Sequence, residues 1–384
     1  MTESHPTRKK KTNLRLGFQG WFLTQPHTGI GRHCKGLIEA LLRQKMQLTV
    51  LLPKALPAAE LQSMGLKKTQ VHVIKPLAFL PHLGLKKWFW EKVQVPAFFF
   101  HLNVDWEYYP YPCPLPNVSP HRRAMTVHDL ILWKDPRYQG NALKKKYHRE
   151  ARRTLIHMDQ LFSVSKATQH ELGIPAALLL PNAVKIPSPA ARPSKTQKKH
   201  KDLVYLGGYE LRKRVPLLVE RFLEYHKKHP ESRLILVGEP HQKSKLYPAL
   251  PKHSALISLG PKSDAEAFQL LQNAFAFVHA SDSEGFNLPL LEAMLAGTPA
   301  VVTDLPVNRE VSKETALFWN PSKKNALDAI LKPLENSAQR QAQIHRQKKA
   351  AQTYSWDRTA HLLIQALSSH ENSKNTALSG TKKQ

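Results

Sequence analysis

The stretch AFVHASDSEGFNLPLLEAMLAGTPAVVTD, residues 276–304, decides how the chain folds. Ala276–His279 is a short apolar run that predicts a buried strand. Gly285 then permits a tight turn. Pro289 suits the first turn of a helix, where the N–H it lacks would have no intrahelical partner. Residues 288–295 read as that helix and Ala300–Thr303 as the next strand. Strand, loop, helix, strand is a βαβ unit, and such units build parallel sheets.

The same alternation extends upstream. Strands are expected at 203–205, 233–237 and 255–259, with helices at Val215–Lys228 and 265–272. A second series comes earlier: strands at 14–18, 48–52, 71–74, 124–127 and 161–164, and a helix at 29–44. Between the two series lie residues 181–201, with Pro181, Pro187, Pro189, Pro193 and a basic polar run, which read as an interdomain linker. The expected architecture is α/β, with two doubly wound domains at 1–186 and 187–354. A C-terminal helix, 355–367, and a polar tail complete it. Ligands of doubly wound sheets sit at the carboxyl ends of the strands, so two such domains are expected to frame a cleft.

Of 384 residues, 57 are Lys or Arg and 29 are Asp or Glu, a formal net charge of +28. This draws the chain to polyanions: nucleic acid, anionic lipid or phosphorylated substrates. The runs Lys144, Lys145, Lys146, Arg149, Arg152, Arg153 and Lys195, Lys198, Lys199, Lys201 are each also readable as a solvated face or linker. A hydrophobic fraction of 41% excludes a disordered chain. Cys34 and Cys113 cannot make a disulfide framework and read as free, buried thiols in a reducing compartment. Residues 1–13 have no apolar core of a secretory signal. No stretch reaches the ~18–20 apolar residues of a spanning helix. The richest, 77–100, is broken by prolines and charges. Its aromatics interleave with Lys86, Lys87 and Lys92, which suits either a membrane interface or core helices with exposed lysines. The expected location is cytoplasmic, or peripheral on the inner face of the membrane.

The chemistry centres on the loop at 283–287. The amides near Phe286, Asn287 and Leu288 open a helix, where free N–H groups and the helix dipole favour an anion such as a pyrophosphate. Glu284 precedes the helix and Glu292 lies inside it. Ionised carboxylates accept hydrogen bonds, as sugar and ribose hydroxyls require. On spacing alone, a helix cap at Glu284 and a surface residue at Glu292 fit equally well.

The run E-G-F-N-L-P-L-L-E-A-M-L-A-G-T-P-A-V-V-T-D resembles the E-x7-E signature of the retaining family-four glycosyltransferases, which have the GT-B fold. Tyr205 to Lys213 resembles the family's loop before the first helix of the donor domain. The resemblance implies that Glu284 contacts the donor sugar and Glu292 the ribose. Lys213, helped by Arg212, would hold the diphosphate, and Gly238 with Glu239 would border the nucleobase. Residues 181–184, P-N-A-V, match the family's P-N-G-V at the linker. Thr28-Gly29-Ile30-Gly31-Arg32 resembles the family glycine loop, where Gly29 and Gly31 admit the donor phosphate and acceptor and Arg32 adds charge. Val127-His128-Asp129-Leu130 ends a strand; by resemblance His128 lies near sugar and acceptor, with Asp129 beside it. Ser165 and Thr168 would order a loop or helix start.

Two positions depart from the family. Asn287 replaces a usual Gly and is expected to narrow the turn or add a side-chain contact. Gly208 stands where many members have Arg, so one phosphate contact is expected to be either missing or supplied by Arg212. The resemblance also implies retention, a C-terminal helix crossing back to the first domain, and no metal or cofactor. The implied donor is GDP-mannose or a UDP-sugar, and the acceptor a glycan or lipid-linked sugar of cell-surface polysaccharide or lipopolysaccharide. An anionic membrane surface is an expected partner; specific nucleic acid is not, since finger, RNA-binding and zipper signatures are missing. A basic nucleic-acid binder and a silent GT-B scaffold remain the alternatives, the latter opposed by the intact pair Glu284 and Glu292.

Overall fold

The computed structural model describes residues 14–187, 201–239 and 250–380, with side chains through His370. The basic run of the linker (188–200) and the N-terminal 13 residues lie outside the described residues, as do the last four.

The strands are β1 (Arg15–Gln19), β2 (Gln47–Leu52), β3 (Val71–Val73), β4 (Trp106–Tyr109), β5 (Arg122–Val127), β6 (Gln160–Ser163) and β7 (Leu178–Leu179), then β8 (Lys201–Leu206), β9 (Ser232–Val237), β10 (Leu256–Gly260), β11 (Ala276–His279), β12 (Ala300–Thr303) and β13 (Leu317–Trp319). The helices are α1 (Gly29–Arg43), α2 (Ala58–Ser63), α3 (Leu83–Phe89), α4 (Val95–Phe100), α5 (Ile131–Lys134), α6 (Ala142–Thr154), α7 (Lys166–Leu172), α8 (Val215–Lys228), α9 (Asp264–Asn273), α10 (Leu288–Ala296), α11 (Pro306–Ser312), α12 (Ala326–Leu331), α13 (Ser337–Ala351) and α14 (Trp356–Gly380). One sheet has the order β3-β2-β1-β4-β5-β6-β7, the other β10-β9-β8-β11-β12-β13. The second is parallel throughout.

Every strand foreseen in the sequence is present to within a few residues; β7 and β13 were not foreseen, and neither was β4. Its sequence, WEYY, carries Glu107 in the middle, which breaks the apolar run. In the fold that carboxylate is buried and accepts from the Tyr109 hydroxyl (2.8 Å), Ser119 (2.7 Å) and His121 Nδ1 (3.1 Å). A fully bonded carboxylate is tolerated inside a sheet.

Parallel strands are covered on both faces, so successive side chains enter opposite cores. In the second sheet Val204 and Leu206 of β8 and Phe277 of β11 join one apolar cluster. Leu203, Tyr205, Ala276 and Val278 join the other. Cys34 and Cys113 are free and buried, as read from the sequence.

The chain divides into two compact units. The first takes Met1–Thr126, Ala142–Phe162 and Asp357–Gln384; the second takes Val127–Asn141 and Ser163–Trp356. The C-terminal helix α14 therefore returns to the first unit. There Asp357 pairs with Arg43 (2.8 Å), and the His370 ring meets the edge of Trp106, centroids 5.5 Å apart. Among the described residues no helix is long and apolar enough to cross a membrane.

Candidate active site

In the second sheet β8 neighbours β11, and the chain winds away from that pair in both directions. Such a switch point leaves a crevice at the carboxyl ends of the strands. The loops after β8 and β11 both open there. Gly207 (φ 141°) and Gly238 (φ 130°) lie at the ends of β8 and β9 in backbone conformations that side chains disfavour. A Cβ on Gly238 would stand 2.1 Å from the Gly207 carbonyl oxygen. The two loop backbones are thus in direct contact. A single 3-10 turn, Leu211–Lys213, follows, and Arg214 turns the chain into α8 with φ 49°.

This turn delivers Arg212 and Lys213 to Glu284 from the β11 loop. Lys213 Nζ donates to Glu284 Oε1 at 2.6 Å, and Arg212 Nη1 donates to Oε2 at 2.6 Å. Arg212 also donates to the Ser283 carbonyl (3.0 Å) and pairs with Glu210 (2.7 Å). The Glu284 side chain is 5% exposed and that of Lys213 7%. Burial alone would raise the Glu284 carboxyl, but Arg212 and Lys213 overcome it and hold it well below the usual carboxylate range. Lys213 is lowered, first by burial and then by Arg212, with Glu284 opposing. His279, at the end of β11, places Nε2 3.2 Å from Glu284 Oε1. Glu284 is therefore an ionised acceptor and does not cap α10.

The cap is Asn287. It adopts φ 67° and ψ 65°, the left-handed region, and its side chain accepts from the Leu290 amide (3.4 Å). Its Nδ2 donates to Asn308 Oδ1 at 2.9 Å. Among non-glycine residues Asn tolerates this backbone best, which accounts for Asn where the family has Gly. Phe286 and Leu288 are 5% and 8% exposed, so each packs its side chain inward and offers only its backbone. Among the described residues the amides of Phe286 and Asn287 donate to no protein acceptor.

Gly285 is required for a different reason from the turn expected of it. Its φ is not positive; a Cβ there would lie 1.9 Å from the His128 carbonyl oxygen. The Gly285 carbonyl accepts from Ser165 (2.8 Å) and Thr168 (3.2 Å), the two hydroxyls expected to order this region. His128 and Asp129 thus stand against the β11–α10 loop, within the same unit. Asp129 accepts from the Ile131 amide (3.0 Å), and burial raises its carboxyl although Arg212 opposes this. Further along, the Tyr138 hydroxyl accepts from the Arg212 amide (2.9 Å) and Arg137 pairs with Asp282 (3.1 Å).

Glu292 is half-buried in α10, four residues from its start. Gly29, Gly31 and Arg32 form the first turn of α1 in the other unit. There a Cβ on Gly31 would meet the Gln25 carbonyl at 2.2 Å, whereas Gly29 has open space. Sequence reasoning missed His279, Glu210, Arg137 and Tyr138. A histidine closing an apolar strand was the available signal for His279; the other three carried none. Among the described residues no three His, Cys, Asp or Glu side chains are grouped as metal ligands.

Residues 189–351 match the family model described as Glycosyl transferases group 1. The chain is 39% identical over 66 residues to O-antigen chain mannosyltransferase RfbU of Salmonella typhimurium, covering 17% of this chain and 19% of that protein. It is 29% identical over 172 residues to O-antigen chain mannosyltransferase B of Escherichia coli, covering 42% and 44%. The matches thus span less than half the length of either relative. Sucrose-phosphate synthase from Thermosynechococcus elongatus superposes with a TM-score of 0.69 at 16% identity, over 94% of this chain and all of that one. The glycosyl transferases group 1 match thus lies on the second half of the chain, and the chain has the GT-B fold.

Proposed function

We propose that this protein is a retaining glycosyltransferase that moves a hexose from a nucleotide-sugar to a glycan or lipid-linked acceptor. The observation that carries the reading is the buried Glu284 carboxylate held between Arg212 and Lys213 at the sheet's switch point. The departing group is a nucleoside diphosphate, and stabilising its charge is the main catalytic task. Lys213 uses one of its three N–H donors on Glu284, and the Nη2 of Arg212 has no protein partner among the described residues. These donors, with the amides of Phe286 and Asn287, suit two phosphates without a metal or cofactor. Glu284 would hold a sugar hydroxyl, Glu292 the ribose and Gly238 the edge of the base; His128 and Asp129 would line the sugar side. Gly31 would admit the donor phosphate, and Gly29 and Arg32 would face the acceptor.

Both mannosyltransferase relatives favour mannose and a role in O-antigen or related polysaccharide synthesis; the proposed donor is GDP-mannose, with UDP-sugars as the alternative. A thermal-shift screen against GDP-, UDP- and ADP-sugars identifies the donor. The true one stabilises by about 2.7 kcal/mol at a hundredfold excess over its Kd. Lys213→Ala and Glu292→Ala are expected to lower transfer by about 100-fold or more. Full activity in either removes the assignment.

The acceptor reading includes docking on an anionic leaflet from the cytoplasmic side. On α6, Lys145, Lys146, Arg149, Arg152 and Arg153 are all exposed and fall on one face at helical spacing, and Ile156 beyond them is 79% exposed. Flotation should carry the protein with anionic vesicles in low salt and not with neutral ones; equal recovery with both would reject docking.

A further inference from the structure

We propose that His279 is a positioning residue: a neutral imidazole, protonated on Nε2, that donates to Glu284 Oε1 and fixes the plane of that carboxylate for the donor sugar. The ring is fully buried. Tyr205 lies nearly parallel to it, centroids 6.1 Å apart at 11°, and Phe277 at 6.0 Å and 21°. Its backbone is held by the Trp319 indole, which donates to the His279 carbonyl at 2.9 Å.

The surroundings select the tautomer. Nε2 stands 3.2 Å from Glu284 Oε1 and 3.0 Å from Ser281 Oγ, while buried Nδ1 has no partner among the described residues. A proton on Nδ1 would be an orphaned donor, and the bare Nε2 lone pair would then face an anionic oxygen. With the proton on Nε2, both nearby oxygens are acceptors and only a weak acceptor goes unpaired. A second ring proton would add a third cation beside Arg212 and Lys213, which already balance Glu284 together with Glu210. Burial also lowers His279 below its usual range, Glu284 opposing and Lys213 reinforcing.

The bonds to Glu284 then leave one opening. A carboxylate has about four acceptor directions. Lys213 and His279 occupy Oε1, and Arg212 takes one direction on Oε2. The remaining direction on Oε2 is free for a single hydroxyl. Arg212 and Lys213 grip one oxygen each through long side chains, whereas the His279 ring, clamped between aromatic rings, presents its donor in one fixed direction. The sugar part of this inference rests on the glycosyltransferase reading above.

Two measurements test it. In protein labelled with 15N-histidine, the signal lost in His279→Gln should show, at pH 7, a protonated Nε2 and a bare Nδ1. A ring protonated on Nδ1, or on both nitrogens, overturns the proposal, whether or not any sugar is transferred. In kinetics, His279→Phe keeps the stacked ring and removes the donor. It should lower kcat about tenfold with the donor KM within about twofold. His279→Gln, whose amide can donate at the same reach, should recover most of that loss. An unchanged kcat in the Phe variant, or an equal loss in both, also overturns it. Absence of transfer by the unsubstituted protein would instead reject the glycosyltransferase reading and leave the NMR test standing.

Discussion

Asn287 combines two roles that a residue's type alone does not separate. Its backbone is left-handed and its side chain both caps α10 and bonds Asn308. The sequence left a narrower turn or a side-chain contact open here; the contact and its partner, 21 positions away, became visible only in the fold. Asn287→Gly keeps the backbone free and loses the cap and the bond, a cost of about 1 kcal/mol. Asn287→Ala adds the steric cost of a left-handed alanine, so about 2 kcal/mol in total is expected. Urea unfolding of the two variants decides: equal midpoints would mean that the left-handed backbone does not select the residue. Glu284 teaches the complementary lesson. Its charge was readable, but its pairing with cations 71 and 72 positions away was not.

Among the elements, the β11–α10 loop is fixed by what presses on it. The motif marked Gly285 as special, and periodicity suggested a turn. The fold gives close approach of the His128 carbonyl instead. Gly285→Ala must therefore push apart the loop and the end of β5. Transfer should fall more than tenfold, with the far-UV circular dichroism unchanged, because neither helix needs the glycine. Wild-type rates in this variant would show that His128 and the loop are not held together in function. Helix α9 shows the opposite case, in which sequence suffices. Ser263 accepts from the Glu266 amide at 3.3 Å and Glu266 answers at 2.9 Å, a capping box visible as S-x-x-E.

Across the molecule, groups whose titration is shifted by burial make stability depend on pH. His148 is lowered from 6.5 to about 4, by burial and then by Lys144 and Lys87. His279 is lowered as well. Below pH 6.5 the unfolded chain binds protons at these imidazoles and the folded chain does not, so stability falls as pH drops from 6.5 toward 4. Glu284 acts over a lower window. Its contribution is complete above its ordinary 4.5 and is lost only as pH falls through its much lower folded value. Urea midpoints between pH 7 and 4 should decline for the wild type and less steeply for His148→Gln. Because His148 is only half-buried, the change is a shallow one. Identical slopes would reject this account.

The sequence by itself determined the alternation of strand and helix, the two sheets and the loops that carry Glu284, Arg212 and Lys213. Each of these depends on periodicity or turn chemistry within a few neighbours. Only the tertiary structure decided which groups meet. Sheet order sets β8 beside β11, and that adjacency brings Arg212 and Lys213 onto Glu284. It buried His279 against the same carboxylate and filled its surroundings with aromatic rings. It also drew Val127–Asn141 into the second unit. Pairings between residues far apart in the chain follow from strand order and packing, and no local pattern of residues encodes them.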